Sequence, residues 1–234
     1  MTPKAVLFDA YGTLLDVYSV GALAESLFPN QGAALAVLWR DKQIEYTRLV
    51  TTSNEGAFYQ DFWALTRASL RYACKRLKLD LSAASEEALM QQYLQLTPFP
   101  ENVQVLEALK AKGIATGILS NGSPHMLGAA VRHAKLDGLL DHVLSVDGLR
   151  QYKTSPKAYA LGASTLQLPA SYILFVSCNA WDALAATWFG YQTLWINRDN
   201  LPFEELWTEP RYTGTSLLDL LPLFTTPSKP MGVR

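Results

Sequence analysis

The run Ala5-Val6-Leu7-Phe8 ends at a carboxylate, Asp9, and is followed by Ala10-Tyr11-Gly12-Thr13-Leu14-Leu15. Consecutive apolar residues without polar alternation predict a strand buried on both faces, and such strands belong to parallel sheets covered by helices. Gly12 then marks a turn. Asp9 is thereby placed at the carboxyl end of an inner strand, on the edge of an open parallel sheet where ligands bind. A carboxylate is costly to desolvate unless donors surround it, so Asp9 either caps the turn that follows or takes part in chemistry.

The remainder of the chain must be compatible with that strand. From about residue 17 to 96 the texture is helical: Leu35, Leu38, Trp39 and Lys42 recur at helical spacing, and so do Phe58, Phe62, Leu65, Leu70, Ala73 and Leu77, read as a helix-packing stripe. The run breaks at Asp80-Leu81-Ser82, and Ser82-Ala83-Ala84-Ser85-Glu86-Glu87 opens a further helix. From Pro100 onward helix and strand alternate. Helices are predicted over 102–112 (closed by Gly113), 126–133, 156–166 and 181–189 (closed by Gly190), with strands over 114–119, 142–146, 172–176 and 192–196. Alternation of this kind implies a mostly parallel sheet with helices on both faces, and the helical stretch reads as an insertion after the first strand. The tail carrying Pro222, Pro227 and Pro230 is expected to form a short helix and then loose chain.

Composition narrows the function classes. With 234 residues, 49% of them hydrophobic, the chain can bury a substantial core. Lys and Arg number 20 against 21 Asp and Glu, and no basic cluster tracks a phosphate backbone, so neither nucleic acid nor an anionic membrane is an expected partner. Met1-Thr2-Pro3-Lys4 runs straight into the first strand and no segment approaches membrane-spanning length, so an unexported protein is expected. Cys74 and Cys178 are too few for a disulfide framework, which fits a reducing cytoplasm.

Four polar groups of residues stand just beyond strand ends or in adjoining loops: Asp9; Ser120 with Asn121; Lys153; and Ser177-Cys178-Asn179 with Asp182. In a parallel sheet these ends converge on one edge. Lys153 can keep a nucleophilic carboxylate ionised while Asp182 balances the added charge, and Ser120 and Asn121 supply neutral donors for an anionic group. Each alone has a plainer reading: Lys153 as a solvated loop lysine, Ser120-Asn121-Gly122 as a strand-to-helix turn, Asp182 as a carboxylate compensating a helix dipole. His125, His133 and His142 are scattered and read as structural or surface residues.

Phe-Asp-Ala-Tyr-Gly-Thr-Leu at 8–14, Leu-Ser-Asn-Gly-Ser-Pro at 119–124, Tyr152-Lys153 followed by Pro156 and Tyr159, and Val-Ser-Cys-Asn-Ala-Trp-Asp at 176–182 resemble the L-2-haloacid dehalogenases of the haloacid dehalogenase superfamily. Trp-Ile-Asn-Arg at 195–198 and Leu-Trp-Arg-Asp-Lys-Gln-Ile-Glu-Tyr at 38–46 resemble them too. The resemblance implies an α/β fold with a Rossmann-like, mostly parallel core of residues 1–15 and 98–234 and an inserted helical cap subdomain of residues 16–97. Most of the superfamily are magnesium phosphatases, with a second aspartate two residues after the nucleophile and a late Gly-Asp pair. Here those positions hold Tyr11 and Cys178, which leaves Asp9 and Asp182 as the carboxylates, a poor donor set for Mg2+.

Carried over position by position, the resemblance implies that Asp9 attacks the halogen-bearing carbon of a short 2-haloalkanoic acid. Water then hydrolyses the aspartyl ester, without metal or organic cofactor. Arg40, Asn121 and Trp181 would receive the halide. Ser120, with main-chain donors near Tyr11 and Asn121, would hold the substrate carboxylate. Thr13 and Lys153 would position Asp9, and Tyr159, Ser177, Asn179 and Asp182 would support Lys153 and the hydrolytic water. Asp41, beside Arg40, is expected to point away from an anionic substrate. The family is often dimeric, so a homodimer is expected. The rival readings are a phosphatase of a small metabolite and a catalytically silent binding protein of the same fold.

Overall fold

In this computed structural model residues 2–224 are described; Pro227, Pro230 and the loose chain expected around them lie outside that range. The predicted first strand, β1 (Ala5–Phe8), is fully buried at every residue. After a short β2 (Leu15–Asp16) come four helices: α1 (Gly21–Leu27), α2 (Gly32–Thr52), α3 (Phe62–Arg76) and α4 (Ala83–Tyr93). A short β3 (Thr97–Pro98) returns to pair antiparallel with β2, so the segment leaves and re-enters at neighbouring points. The alternating part follows as α5 (Asn102–Ala111), β4 (Ala115–Ser120), α6 (Pro124–His133), β5 (His142–Ser145), α7 (Pro156–Leu166), β6 (Ile173–Ser177), α8 (Ala180–Phe189), β7 (Gln192–Ile196) and β8 (Tyr212–Gly214). A 3-10 helix over Leu217–Phe224 meets the expectation of a short terminal helix.

The main sheet has the order β5-β4-β1-β6-β7-β8, and each pairing is parallel. β1 lies between β4 and β6, which is why it is apolar at every position: neighbours flank both edges and helices cover both faces. The ends of β1, β4 and β6 are adjacent, and Asp9 continues the ladder by donating its N–H to the Val176 carbonyl at 2.9 Å. Gly12, at a φ of 98°, makes the turn that brings the chain back over this edge.

One local expectation is corrected, and one strand was not foreseen. The helical stripe does not extend to Phe58: Asp61 accepts from the Ala64 N–H, starting α3 at Phe62, so Phe58 stays in the preceding loop and is 66% exposed, while Phe62 is buried. β8 also carries no strand signal of its own. Its three residues are ordered by pairing with Leu194, Trp195 and Ile196 of β7, a tertiary effect.

Gly162 of α7 packs against β1 so closely that a Cβ there would lie 2.4 Å from Leu7 Cδ1 and 2.8 Å from the Tyr191 hydroxyl. Gly to Ala inside a helix ordinarily gains roughly 0.5–1 kcal/mol of helix propensity, whereas overpacking a core costs about 1–3 kcal/mol. Gly162→Ala is therefore expected to lower the melting temperature by several degrees in a thermal scan; an unchanged or raised value would show that the contact relaxes freely.

Candidate active site

The Asp9 carboxylate, 5% exposed, is held by three side-chain donors from three parts of the chain. Lys153 Nζ donates to Oδ1 at 3.0 Å, Asn179 Nδ2 to Oδ2 at 2.9 Å and Thr13 Oγ1 to Oδ2 at 3.1 Å. Thr13 serves twice, since its hydroxyl also accepts from the Cys178 N–H at 2.9 Å, locking the loop after β1 to the loop after β6. Lys153 Nζ donates in addition to Asp182 Oδ2 at 2.9 Å, so one ammonium bridges two carboxylates. Asp182, in the first turn of α8, is completed by Tyr159 (2.7 Å to Oδ1) and Ser177 (3.1 Å to Oδ2).

Burial and charge act against each other here. Burial alone would depress the Lys153 ammonium, but Asp182 and Asp9 more than reverse this and hold it above its usual value. Burial raises the Asp182 carboxyl despite Lys153 beside it, and burial followed by the Asp182 charge raises the Tyr159 phenol well above its ordinary value. The Cys178 thiol is pushed up to about 12 by burial and then by Asp9, so it stays protonated.

A second cation comes from the helical segment. Arg40, in α2 and 8% exposed, donates to the Tyr11 carbonyl at 3.0 Å, to Asn179 Oδ1 at 3.3 Å and to Gln43 Oε1 at 2.8 Å, and among the described residues no carboxylate lies within ion-pair distance of it. Arg40 borders a cleft of about 980 Å³ whose walls also include Tyr18, Ile44, Asn179, Trp181, Trp195 and Arg198. A desolvated guanidinium with neutral partners, at the end of a cleft and one residue away from a carboxylate through Asn179, is suited to hold an anion beside a nucleophile.

The structure brings Asp9, Thr13, Lys153, Tyr159, Ser177, Asn179 and Asp182 into one directly hydrogen-bonded group. Tyr11 and Arg40 join through the Tyr11 carbonyl, and Asn121 joins because its Oδ1 accepts from the Lys153 N–H at 2.9 Å. Ser120, at the end of β4, accepts from the Gly122 N–H at 3.2 Å. The Tyr11 hydroxyl is buried without a partner and packs against Gly122, where a Cβ would lie 3.0 Å from it. Trp181 lines the cleft with its ring under the Arg48 guanidinium, 5.1 Å from the centroid, and is not bonded to the Asp9 group. Asp41, expected to point away, is exposed and borders the same cleft.

Arg198 and Trp195, quoted in the sequence only as a motif, bind this site's backbone. Arg198 donates to the Thr13 carbonyl at 3.2 Å and the Gly12 carbonyl at 3.4 Å while paired with Glu101 at 2.9 Å, and Trp195 donates to the Cys178 carbonyl at 3.0 Å. Their signal was position, at the end of the last inner strand. Gln43 and Tyr93, which meet Arg40 from within the helices, had no signal beyond the three-residue spacing of Arg40 and Gln43 on one helix face.

The donor set does not fit a divalent metal. Lys153 Nζ occupies the space between the two carboxylates, Asp182 is saturated by Lys153, Tyr159 and Ser177, and a hard cation would need further oxygen ligands where a neutral thiol stands. Among the described residues no group of three or more His, Cys, Asp or Glu could hold a metal ion.

A parallel sheet with a carboxylate nucleophile candidate at the end of its central strand, a lysine bridge and an arginine reaching in from inserted helices defines a Rossmann-like α/β hydrolase class whose candidate nucleophile is an aspartate. The profile of the haloacid dehalogenase-like hydrolases matches residues 3–190, and the chain belongs to that family. It is 44% identical over 223 residues to an (S)-2-haloacid dehalogenase of Pseudomonas sp. (strain YL), covering 95% of both chains. A crystal structure of an L-2-haloacid dehalogenase superposes with a TM-score of 0.93 at 53% identity, covering 95% of this chain and 98% of that one. The L-2-haloacid dehalogenase from Xanthobacter autotrophicus, solved with chloropropionic acid covalently bound, matches with a TM-score of 0.86 at 34% identity, covering 94% and 98%.

Because the folded-state Lys153 value is raised, its ammonium contributes stability fully below the unfolded value near 10.5 and loses it only as pH rises through the higher folded value. Activity and melting temperature are both expected to persist to about pH 10 and to fall together beyond it. An activity limb near pH 7 to 8 with an unchanged melting temperature would contradict the bridge as drawn.

Proposed function

We propose that this chain is an (S)-2-haloacid dehalogenase, which removes halide from short L-2-haloalkanoic acids to give (R)-2-hydroxy acids. The observation that carries the reading is the Asp9 carboxylate, bonded by Lys153, Thr13 and Asn179, close to an Arg40 that has no carboxylate partner among the described residues. The names of the relatives support it, as does the covalent chloropropionic acid in one of the similar structures.

In the first step an Asp9 oxygen attacks C2 of the substrate from behind the halogen. The C–O bond forms as the carbon–halogen bond breaks, the halide leaves with the electron pair, and the carbon inverts. Arg40, Asn121 and Trp181 receive the halide; a guanidinium, an amide and an aromatic edge suit a diffuse anion. Ser120 and main-chain N–H groups near Tyr11 and Asn121 hold the substrate carboxylate. Water next adds to the Asp9 acyl carbon and expels the hydroxy acid, so the regenerated carboxylate keeps one solvent oxygen and one proton is released. Lys153 stabilises the charge that develops, and Tyr159, Ser177, Asn179 and Asp182 hold Lys153 and the water in place.

Residues 16–97 serve as a cap over the core of residues 1–15 and 98–234, delivering Arg40 and limiting water during the attack. The proposal extends to a cytoplasmic homodimer: both cysteines are free thiols, and Val37 and Leu49 on α2 and Tyr72 on α3 are exposed apolar side chains that a second copy could cover.

Incubation with L- and D-2-chloropropionate in excess EDTA is expected to release chloride from the L form alone. Asp9→Asn should lower the rate by at least about a thousandfold, equivalent to about 4 kcal/mol, and a single turnover in heavy-oxygen water should label Asp9. Loss of activity in EDTA with recovery on adding Mg2+, or label confined to the product, would refute the mechanism.

A further inference from the structure

The acceptors that hold Arg40 carry no charge, and the one within its own helix is unusually well constrained. Gln43 is fully buried. Its Oε1 accepts from Arg40 Nη1 at 2.8 Å and from the Tyr93 hydroxyl at 2.9 Å, while its Nε2 donates to Thr66 Oγ1 at 2.6 Å. The Thr66 hydroxyl in turn donates to the Phe62 carbonyl at 2.6 Å. A primary amide can turn end for end with little change of shape. Thr66 prevents that here: its proton is committed to Phe62, so towards Gln43 it can only accept. The amide N–H must then face Thr66, and the amide oxygen must face Arg40 and Tyr93. Helices α2, α3 and α4 meet in this group, and every polar atom of the Gln43 side chain is engaged.

A glutamate of the same length would accept from Arg40 equally well, but it would pair with the guanidinium and cancel its charge. In a desolvated site an unpaired charge interacts far more strongly with an incoming ion than a paired one does. We propose that Gln43, oriented by Thr66 and Tyr93, is a positioning residue that aims Arg40 towards Asp9 while leaving its positive charge available to the leaving anion. The identity of that anion as halide rests on the function proposed above.

The probe is bromide, read in two ways: as the rise in melting temperature with added sodium bromide, ionic strength held constant with sodium gluconate, and as inhibition of turnover of L-2-bromopropionate. The wild-type protein should be stabilised by bromide. In Gln43→Glu that rise should vanish and the bromide inhibition constant should increase at least tenfold, with kcat falling more than KM changes. Thr66→Val keeps the charge but removes the acceptor that anchors the amide N–H, and should lose about fivefold in kcat/KM with a weakened bromide response. A folded Gln43→Glu with the wild-type bromide response, or no response in the wild type, overturns the proposal. Should Gln43→Glu fail to fold, wild-type bromide inhibition in Thr66→Val overturns it. If bromide stabilises the wild type and not Gln43→Glu, yet no haloacid is turned over, the anion site stands and the dehalogenase reading falls.

Discussion

Two carboxylates sharing one buried ammonium is the constraint on which the rest of this structure depends. Asp9 and Asp182 both bond Lys153 Nζ, and the three side chains are almost entirely removed from solvent. Burying ions is costly unless every oxygen finds a donor, and removing one member leaves the others uncompensated. Thr13, Asn179, Tyr159 and Ser177 supply those donors, drawn from the loop after β1, the end of β6 and helix α7. The geometry of the candidate site and the packing of the sheet edge are therefore the same set of contacts. A single hydroxyl illustrates it: Thr13 accepts from the Cys178 backbone and donates to Asp9, so the strand order β4-β1-β6 is what orients the Asp9 carboxylate.

That group carries one positive and two negative charges, and the helical segment brings the fourth. Arg40 reaches the Tyr11 carbonyl and Asn179 from α2, so the site is complete only with the helices seated on the sheet. Because its partners are neutral, its charge is not consumed by the protein itself, unlike that of Arg198, which is paired with Glu101 and braces the Gly12–Thr13 backbone. Two arginines at one cleft thus differ: Arg198 binds the protein to itself through an ion pair, whereas the charge of Arg40 meets only neutral partners among the described residues.

Much of this was legible along the chain. The burial of β1, the alternation from Pro100 onward, the helix ends at Gly113 and Gly190, and the convergence of Asp9, Asn121, Lys153, Ser177 and Asp182 on one edge all follow from apolar runs, turn residues and parallel topology. Phe58 misled because helical spacing continues through it, whereas the Asp61 cap decides where α3 begins. β8 was invisible because three residues hold no period, and its order comes from β7. Arg198 and Trp195 act through backbone carbonyls, an interaction that residue type alone does not announce.

The amino-acid sequence by itself determined the class of fold, the nucleophile candidate and the residues able to stabilise it, because hydrophobic period and strand-end position are local properties of the chain. Only the tertiary structure decided that Lys153 stands between two carboxylates, that Arg40 has no ionic partner among the described residues and that Gln43, Thr66 and Tyr93 meet beside it. The reason is physical: whether a buried charge is paired depends on which side chains from distant segments meet around it, and no local pattern encodes that meeting.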